Sequence, residues 1–154
     1  MRKRGFTFIE ILVSVTIIAV LIAIGVASYA SVNRRARDAK RKSDLEQIRS
    51  GLEQYRADAG SYPVQGGWAL SSAGSNWIDA LTPAYMDNVP VDPKNTGSVA
   101  PPTGTDPVYA YKSDATCGLV AGQEYMLAAL LETGEQLSTT YGSCTSPTGW
   151  YTLG

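Results

Sequence analysis

The sequence predicts an α+β fold: one long N-terminal α-helix, apolar in its first half and amphipathic in its second, packed against a small C-terminal antiparallel sheet. Three observations predict it. Residues 6–30, FTFIEILVSVTIIAVLIAIGVASYA, are almost wholly apolar, hold one ionisable side chain, Glu10, and contain no proline. Leu45, Ile48, Leu52 and Tyr55 then recur at spacings of 3, 4 and 3, which is the period of one helix face. After residue 60, glycine and proline accumulate between short runs rich in strand formers.

Residues 1–5, MRKRG, form a basic preface. The apolar stretch behind it has 25 residues. A bilayer core needs about 20 as helix, so this stretch, roughly 37 Å long, spans it with some tilt. A removable secretory signal has an apolar part of about 7–15 residues and a small-residue cleavage site after it. Here the run is too long, and Ala27-Ser28-Tyr29 and Ala30-Ser31-Val32 are poor A-x-A sites. An anchor that stays attached fits better. Glu10 is its odd member, since a carboxylate costs roughly 2.5–3.5 kcal/mol at the bilayer centre and less near the edge. Its place near the membrane edge makes a tolerated interfacial acid one reading.

Residues 31–60 continue the helix in amphipathic form. With no proline before Pro63 and Gly60 as a C-cap, the helix runs from about Thr7 to Ala59. Gly25 weakens it by up to ~1 kcal/mol relative to alanine. A break near Asn33, giving two separate helices, is the alternative, although no residue marks it. Arg34, Arg35, Arg37, Lys40, Arg41 and Lys42 form a basic cluster relieved only by Asp38. It reads as a solvated helix face or as cations pairing with acids on neighbouring copies.

Residues 61–154 form a globular part with loops and antiparallel strands. Ser75 to Leu81 suggests a short helix that Pro83 ends. Val108 to Lys112 is rich in strand formers. Gln123 to Leu131, between Gly122 and Gly134, reads as a strand buried on both faces, with a short helix as the alternative. Gly149 to Leu153 reads as a last edge strand. A sheet of three or four such strands on the Leu45–Tyr55 stripe would bury both faces.

The composition argues against catalysis and against nucleic acid. There is no histidine, which removes the usual general base and a common metal ligand. The chain has no C-x-x-C, P-loop or G-x-G-x-x-G, so an enzyme is not expected. Removing Arg2, Lys3 and Arg4 from 13 basic side chains leaves 10 against 14 acidic ones, which is no nucleic-acid-binding balance. The basic cluster also lacks the interleaved aromatics of a single-strand binder.

MRKRG-FTFIEILVSVTIIAVLIAI resembles the N-terminal signature of type IV pilins and pseudopilins: a basic leader ending in glycine, then phenylalanine, a glutamate four residues on, and an apolar helix. Residues 42–63, KSDLEQIRSGLEQYRADAGSYP, are similar to the end of the long helix in major pseudopilins of type II secretion. Tyr85-Met86, Val89-Pro90-Val91-Asp92-Pro93 and Val108-Tyr109-Ala110-Tyr111 resemble later segments of that family in the same order. The resemblance implies that a prepilin peptidase cuts between Gly5 and Phe6 and methylates the new amine of Phe6. It also implies that Glu10 faces the first-residue amine of a neighbouring subunit during assembly. The implied product is a structural subunit of a type IV pilus or pseudopilus, a homopolymer built through its N-terminal helix. The implied partners are the peptidase and N-methyltransferase, the membrane, and an assembly platform with its cytoplasmic ATPase.

The positive-inside rule disagrees with the location this implies. Three cations precede the span and six follow it, which alone puts the C-terminal part in the cytoplasm. The signature instead implies a single-pass precursor in the cytoplasmic membrane with its C-terminal part outside, later a cell-surface or periplasmic filament. Cys117 and Cys144 read as a disulfide on the outside of a membrane and as reduced thiols in a cytoplasmic protein. Secretion pseudopilins commonly hold calcium in a C-terminal loop, but that loop does not map onto residues 113–154. Asp106 and Asp114 read as solvated turn acids, so the residues point to no cofactor, while the resemblance leaves calcium open. Two alternatives stay open: a non-polymerising single-span protein with an external binding domain, and a minor tip pilin with an adhesive or DNA-uptake role.

Overall fold

The computed structural model describes residues 5–74, 76–101, 103–115, 118–134 and 149–154. The chain comprises two compact units, residues 1–36 and 37–154. One helix, α1, covers Phe8–Ala59. Thr7 precedes it as N-cap, its carbonyl accepting from the amides of Glu10 (3.1 Å) and Ile11 (3.4 Å). Gly60 ends it at φ +75°, a left-handed conformation that glycine adopts without strain, and donates its amide to the Arg56 carbonyl at 2.8 Å. The predicted helix and its stop are therefore as observed, and Gly25 does not interrupt it.

In the first unit nothing among the described residues covers the large apolar side chains. Sixteen large hydrophobics from Phe6 to Val32 are 47% to 84% exposed. In the second unit Leu45, Ile48 and Leu52 are fully buried, with Tyr55 packed against them. Their counterpart is a four-stranded sheet in the order β1 (Ala69–Leu70), β2 (Tyr109–Lys112), β3 (Met126–Leu130), β4 (Trp150–Leu153), antiparallel throughout.

Strand alternation sorts the two faces. Tyr109, Tyr111, Leu127, Ala129 and Tyr151 share the core of the helix stripe. The other face carries a second cluster, Val108, Ala110, Ala128 and Trp150, with Trp68, Leu70 and Leu130 against it. The loop before β2 lies so close to this face that a Cβ on Gly97 would meet the Val108 side chain at 2.8 Å, which requires glycine there. The two strand tyrosines bury their rings and keep their hydroxyls satisfied. Tyr109 donates to Asp44 on α1 and Tyr111 to the Pro63 carbonyl, both at 2.8 Å.

Strands β2, β3 and β4 fall where the sequence predicts them, and Met126 to Ala129 are buried, as expected of a strand covered on both faces. Two differences stand out. The short helix expected at 75–81 is only a 3-10 turn at Asp79–Leu81. Trp77, Ile78 and Leu81 all reach the core from that tight turn, and the Trp77 indole donates to the Pro90 carbonyl at 3.0 Å. Strand β1 is an addition, two residues whose pairing partner lies some 40 positions along, at Ala110 and Tyr111.

Candidate functional site

In the first unit Gly5 and Phe6 precede the helix and are exposed, Phe6 at 81%. Nothing lies within 4 Å of where a Cβ on Gly5 would be. The segment offers an accessible backbone between these two residues. Glu10 folds back on its own chain: its Oε2 accepts from both the amide and the hydroxyl of Thr7 at 2.8 Å. The Glu10 amide is 3.4 Å from the Thr7 hydroxyl. This is a capping box, with the reciprocal bonds satisfying donors left open at a helix start. The pattern T-x-x-E before an apolar run is visible in the sequence, but weighing Glu10 as a membrane-edge acid or an assembly residue overlooks it. Further along, Ser14 and Thr16 donate to the carbonyls of Glu10 and Val13, so neither hydroxyl is left unpaired in an apolar setting.

In the second unit the basic cluster is not simply a solvated face. Arg41 is fully buried. It holds Asp92 through two bonds (2.6 and 3.1 Å), Asp38 at 2.7 Å and Glu132 at 3.0 Å. Glu132 also takes a two-pronged contact from Arg37 (2.7 and 2.6 Å) and one from Lys94 (2.9 Å). Asp92 shapes its own turn by accepting from the amides of Lys94 and Asn95. Asp38 accepts from the amides of Glu132 and Thr133 and from the Thr133 hydroxyl. Three carboxylates and three cations thus tie α1 to the 92–95 turn and to the 131–134 turn.

The charges are held in place electrostatically. The Arg37 hydrogen bond, with Lys94 and Arg41 assisting, holds the Glu132 carboxyl far below its ordinary value despite partial burial. Burial pushes the Asp38 carboxyl up, but bonds from Glu132, Thr133 and Arg41 outweigh it and the net shift is downward. Burial opposes the charge on Arg41, yet Asp92, Asp38 and Glu132 raise its value overall. Arg34 and Arg35 are exposed, in line with the solvated reading, Lys40 is exposed but reaches Asp44 at 3.1 Å, and Arg37 and Arg41 pair with acids of their own chain.

Residues 1–26 match the family model of the prokaryotic N-terminal methylation motif. Residues 28–113 match that of type II secretion system protein G. The chain belongs to the type II secretion system protein G family. Type II secretion system core protein G of Klebsiella pneumoniae is 35% identical over 97 residues, 60% of this chain and 69% of that protein. The Pseudomonas aeruginosa core protein G is 33% identical over 100 residues, 60% of this chain and 68% of its own length. Pilin-like protein PilA3 of Thermus thermophilus is 28% identical over 100 residues, 64% of this chain but only 38% of its own length. No solved structure gives a significant match. The long helix with its small antiparallel sheet is the pilin-like α+β architecture of this family of pilus and pseudopilus subunits.

The protein G match stops at 113, so Arg41 and Asp92 lie inside it and Glu132 beyond it. A calcium ion does not fit the described residues. Among them no group of carboxylates is placed to hold a metal ion: the three that do converge, Asp38, Asp92 and Glu132, close on the Arg41 guanidinium, and Asp114 lies 3.5 Å from the Lys112 ammonium. Cys117 and Cys144 lie outside the described residues.

Proposed function

We propose that this protein G family member is made as a single-pass membrane precursor, cut between Gly5 and Phe6, methylated on Phe6 and polymerised through α1 into a pilus- or pseudopilus-type filament. The observation that carries this is the pairing of the methylation-motif match with an apolar helix whose large side chains stay exposed among the described residues. Such a surface, far larger than the few hundred Å² a soluble monomer exposes, needs lipid or other copies around it. Its hydropathy and length suit a membrane span. The capping box commits Oε2 of Glu10 to Thr7. A carboxylate has a second oxygen, so Glu10 keeps capacity to accept a neighbouring Phe6 amine during assembly. In this reading the C-terminal part lies outside the cytoplasm, Cys117 and Cys144 form a disulfide, and the partners are other copies, a prepilin peptidase and an assembly platform with its ATPase.

Intact-mass and N-terminal peptide mass spectrometry on unreduced protein from its native cells tests the reading. The expected chain begins at methylated Phe6 and lacks two hydrogens at the cysteines. In parallel, Gly5→Ser blocks processing, whereas Glu10→Ala leaves processing intact and lowers filament yield. A native chain that still begins at Met1 with free thiols is an ordinary anchor, and the filament reading then falls.

A further inference from the structure

The basic run 34–42 divides in the structure. Arg37, Lys40 and Arg41 are held by Glu132, by Asp44, and by Asp92 with Asp38. Lys42 lies over the Tyr151 ring, 5.5 Å from its centre. Arg34 and Arg35 are exposed and make no ion pair among the described residues. The same chain that buries Arg41 completely leaves these two guanidiniums with no carboxylate partner among the described residues.

Helix arithmetic fixes their height on α1. Residues 11–30 carry no charge. At ~1.5 Å per residue these 20 residues cover about 30 Å, the thickness of a bilayer hydrocarbon core. With that stretch in lipid, Glu10 sits at one edge and Tyr29, 70% exposed, at the other, where tyrosine is favoured. Arg34 and Arg35 follow Ala30 by four and five residues, or ~6–8 Å. The headgroup layer is about 5–7 Å deep on each side, within reach of a long arginine side chain.

Resting on the membrane-spanning reading above, we propose that Arg34 and Arg35 form a headgroup site. Their guanidiniums bind the phosphates of anionic phospholipids in the leaflet at the C-terminal end of the span and hold the unassembled subunit at a fixed depth. Two features select lipid as the occupant: the site continues directly from the apolar surface that lipid must cover, and planar guanidinium matches phosphate in a two-pronged contact. At an anionic surface each basic residue contributes roughly fivefold in affinity, so about 25-fold for the pair.

The test uses the full chain in detergent, titrated with phosphatidylglycerol and with phosphatidylcholine, the bound lipid being counted by native mass spectrometry. The expected result is a preference for phosphatidylglycerol on the order of 25-fold. Arg34→Gln with Arg35→Gln reduces it to about twofold or less, while Lys40→Gln, whose ammonium is already tied to Asp44, leaves it in place. No preference in the wild type overturns the proposal, as does an undiminished preference in the double variant. A double variant that keeps the preference but loses filaments assigns both arginines to contacts between copies and equally overturns it. Flotation with phosphatidylcholine vesicles separates the two levels of failure. A chain that floats without headgroup preference loses this site alone, and a chain that does not float loses the spanning reading and this site with it.

Discussion

Residues 8–32 and 37–59 belong to one helix, yet large apolar side chains of the first stretch are 47% to 84% exposed while Leu45, Ile48 and Leu52 of the second are fully buried. The backbone ladder is the same, so it explains neither state. The second stretch is amphipathic and finds its apolar partners in the sheet of its own unit. The first is apolar on every side, a pattern with no solvent face, and its large side chains stay exposed among the described residues. The polar groups follow the same division. Arg41 is neutralised by three carboxylates of its own chain, whereas Arg34 and Arg35 meet none among the described residues.

The strongest way to break this contrast is to remove the charge at the centre of the second stretch. Arg41→Met leaves Asp92 and Asp38 buried without their cation, and the expected loss is about 3–5 kcal/mol in urea unfolding of the full chain in detergent. A loss under about 1 kcal/mol means the carboxylates are satisfied without Arg41. Next in size is a matched pair. Ile48→Ala is expected to cost about 2–5 kcal/mol in the same assay. Ile18→Ala removes the same atoms from an exposed site and shifts unfolding by no more than about 0.5 kcal/mol, while filament yield falls. Equal losses at both positions would erase the distinction between the two stretches.

The smallest effect is gated by pH. Glu132 and Asp38 have carboxyls held below their ordinary values of 4.5 and 3.8. A depressed carboxyl stabilises the fold fully above its ordinary value, and that contribution is lost as pH falls towards the lowered one. Thermal melting of the second unit is therefore flat above about pH 5 and declines below it. Glu132→Gln makes the acid decline shallower, because one of the two titrating groups is gone. An unaltered decline would assign it to other carboxyls. The effect is modest because Glu132 contacts Arg37 and Lys94 at a partly exposed rim, where water screens the pairs.

The legible parts of this fold are those whose signal is local. The helix end at Gly60, the Leu45–Ile48–Leu52 stripe and strands β2 to β4 each follow from a period or a turn residue within a few positions. Strand β1 was not legible, because two residues become a strand only by meeting β2. The helix suggested at 75–81 gave way to a turn because burying Trp77, Ile78 and Leu81 together decided the local backbone. Within the candidate site, Gly5, Phe6 and Glu10 stand out through the resemblance of the N-terminal stretch to a known signature, which periodicity and composition do not supply. Arg41 could not be told from its five basic neighbours, since its burial depends on Asp92, 51 positions away, and Glu132, 91 away.

Those two separations also set an order in time. Synthesis runs from the N-terminus, so Arg37 and Arg41 leave the ribosome well ahead of Asp92 and far ahead of Glu132. A nascent chain shorter than 132 residues carries both arginines without their full set of counter-charges, and Asp38 without the amides of Glu132 and Thr133. The charge balance of α1 is completed only when most of the chain exists. The six cations that a membrane-insertion rule counts behind the apolar stretch are those of the growing chain, and the folded protein has already withdrawn the two most deeply engaged of them from the count.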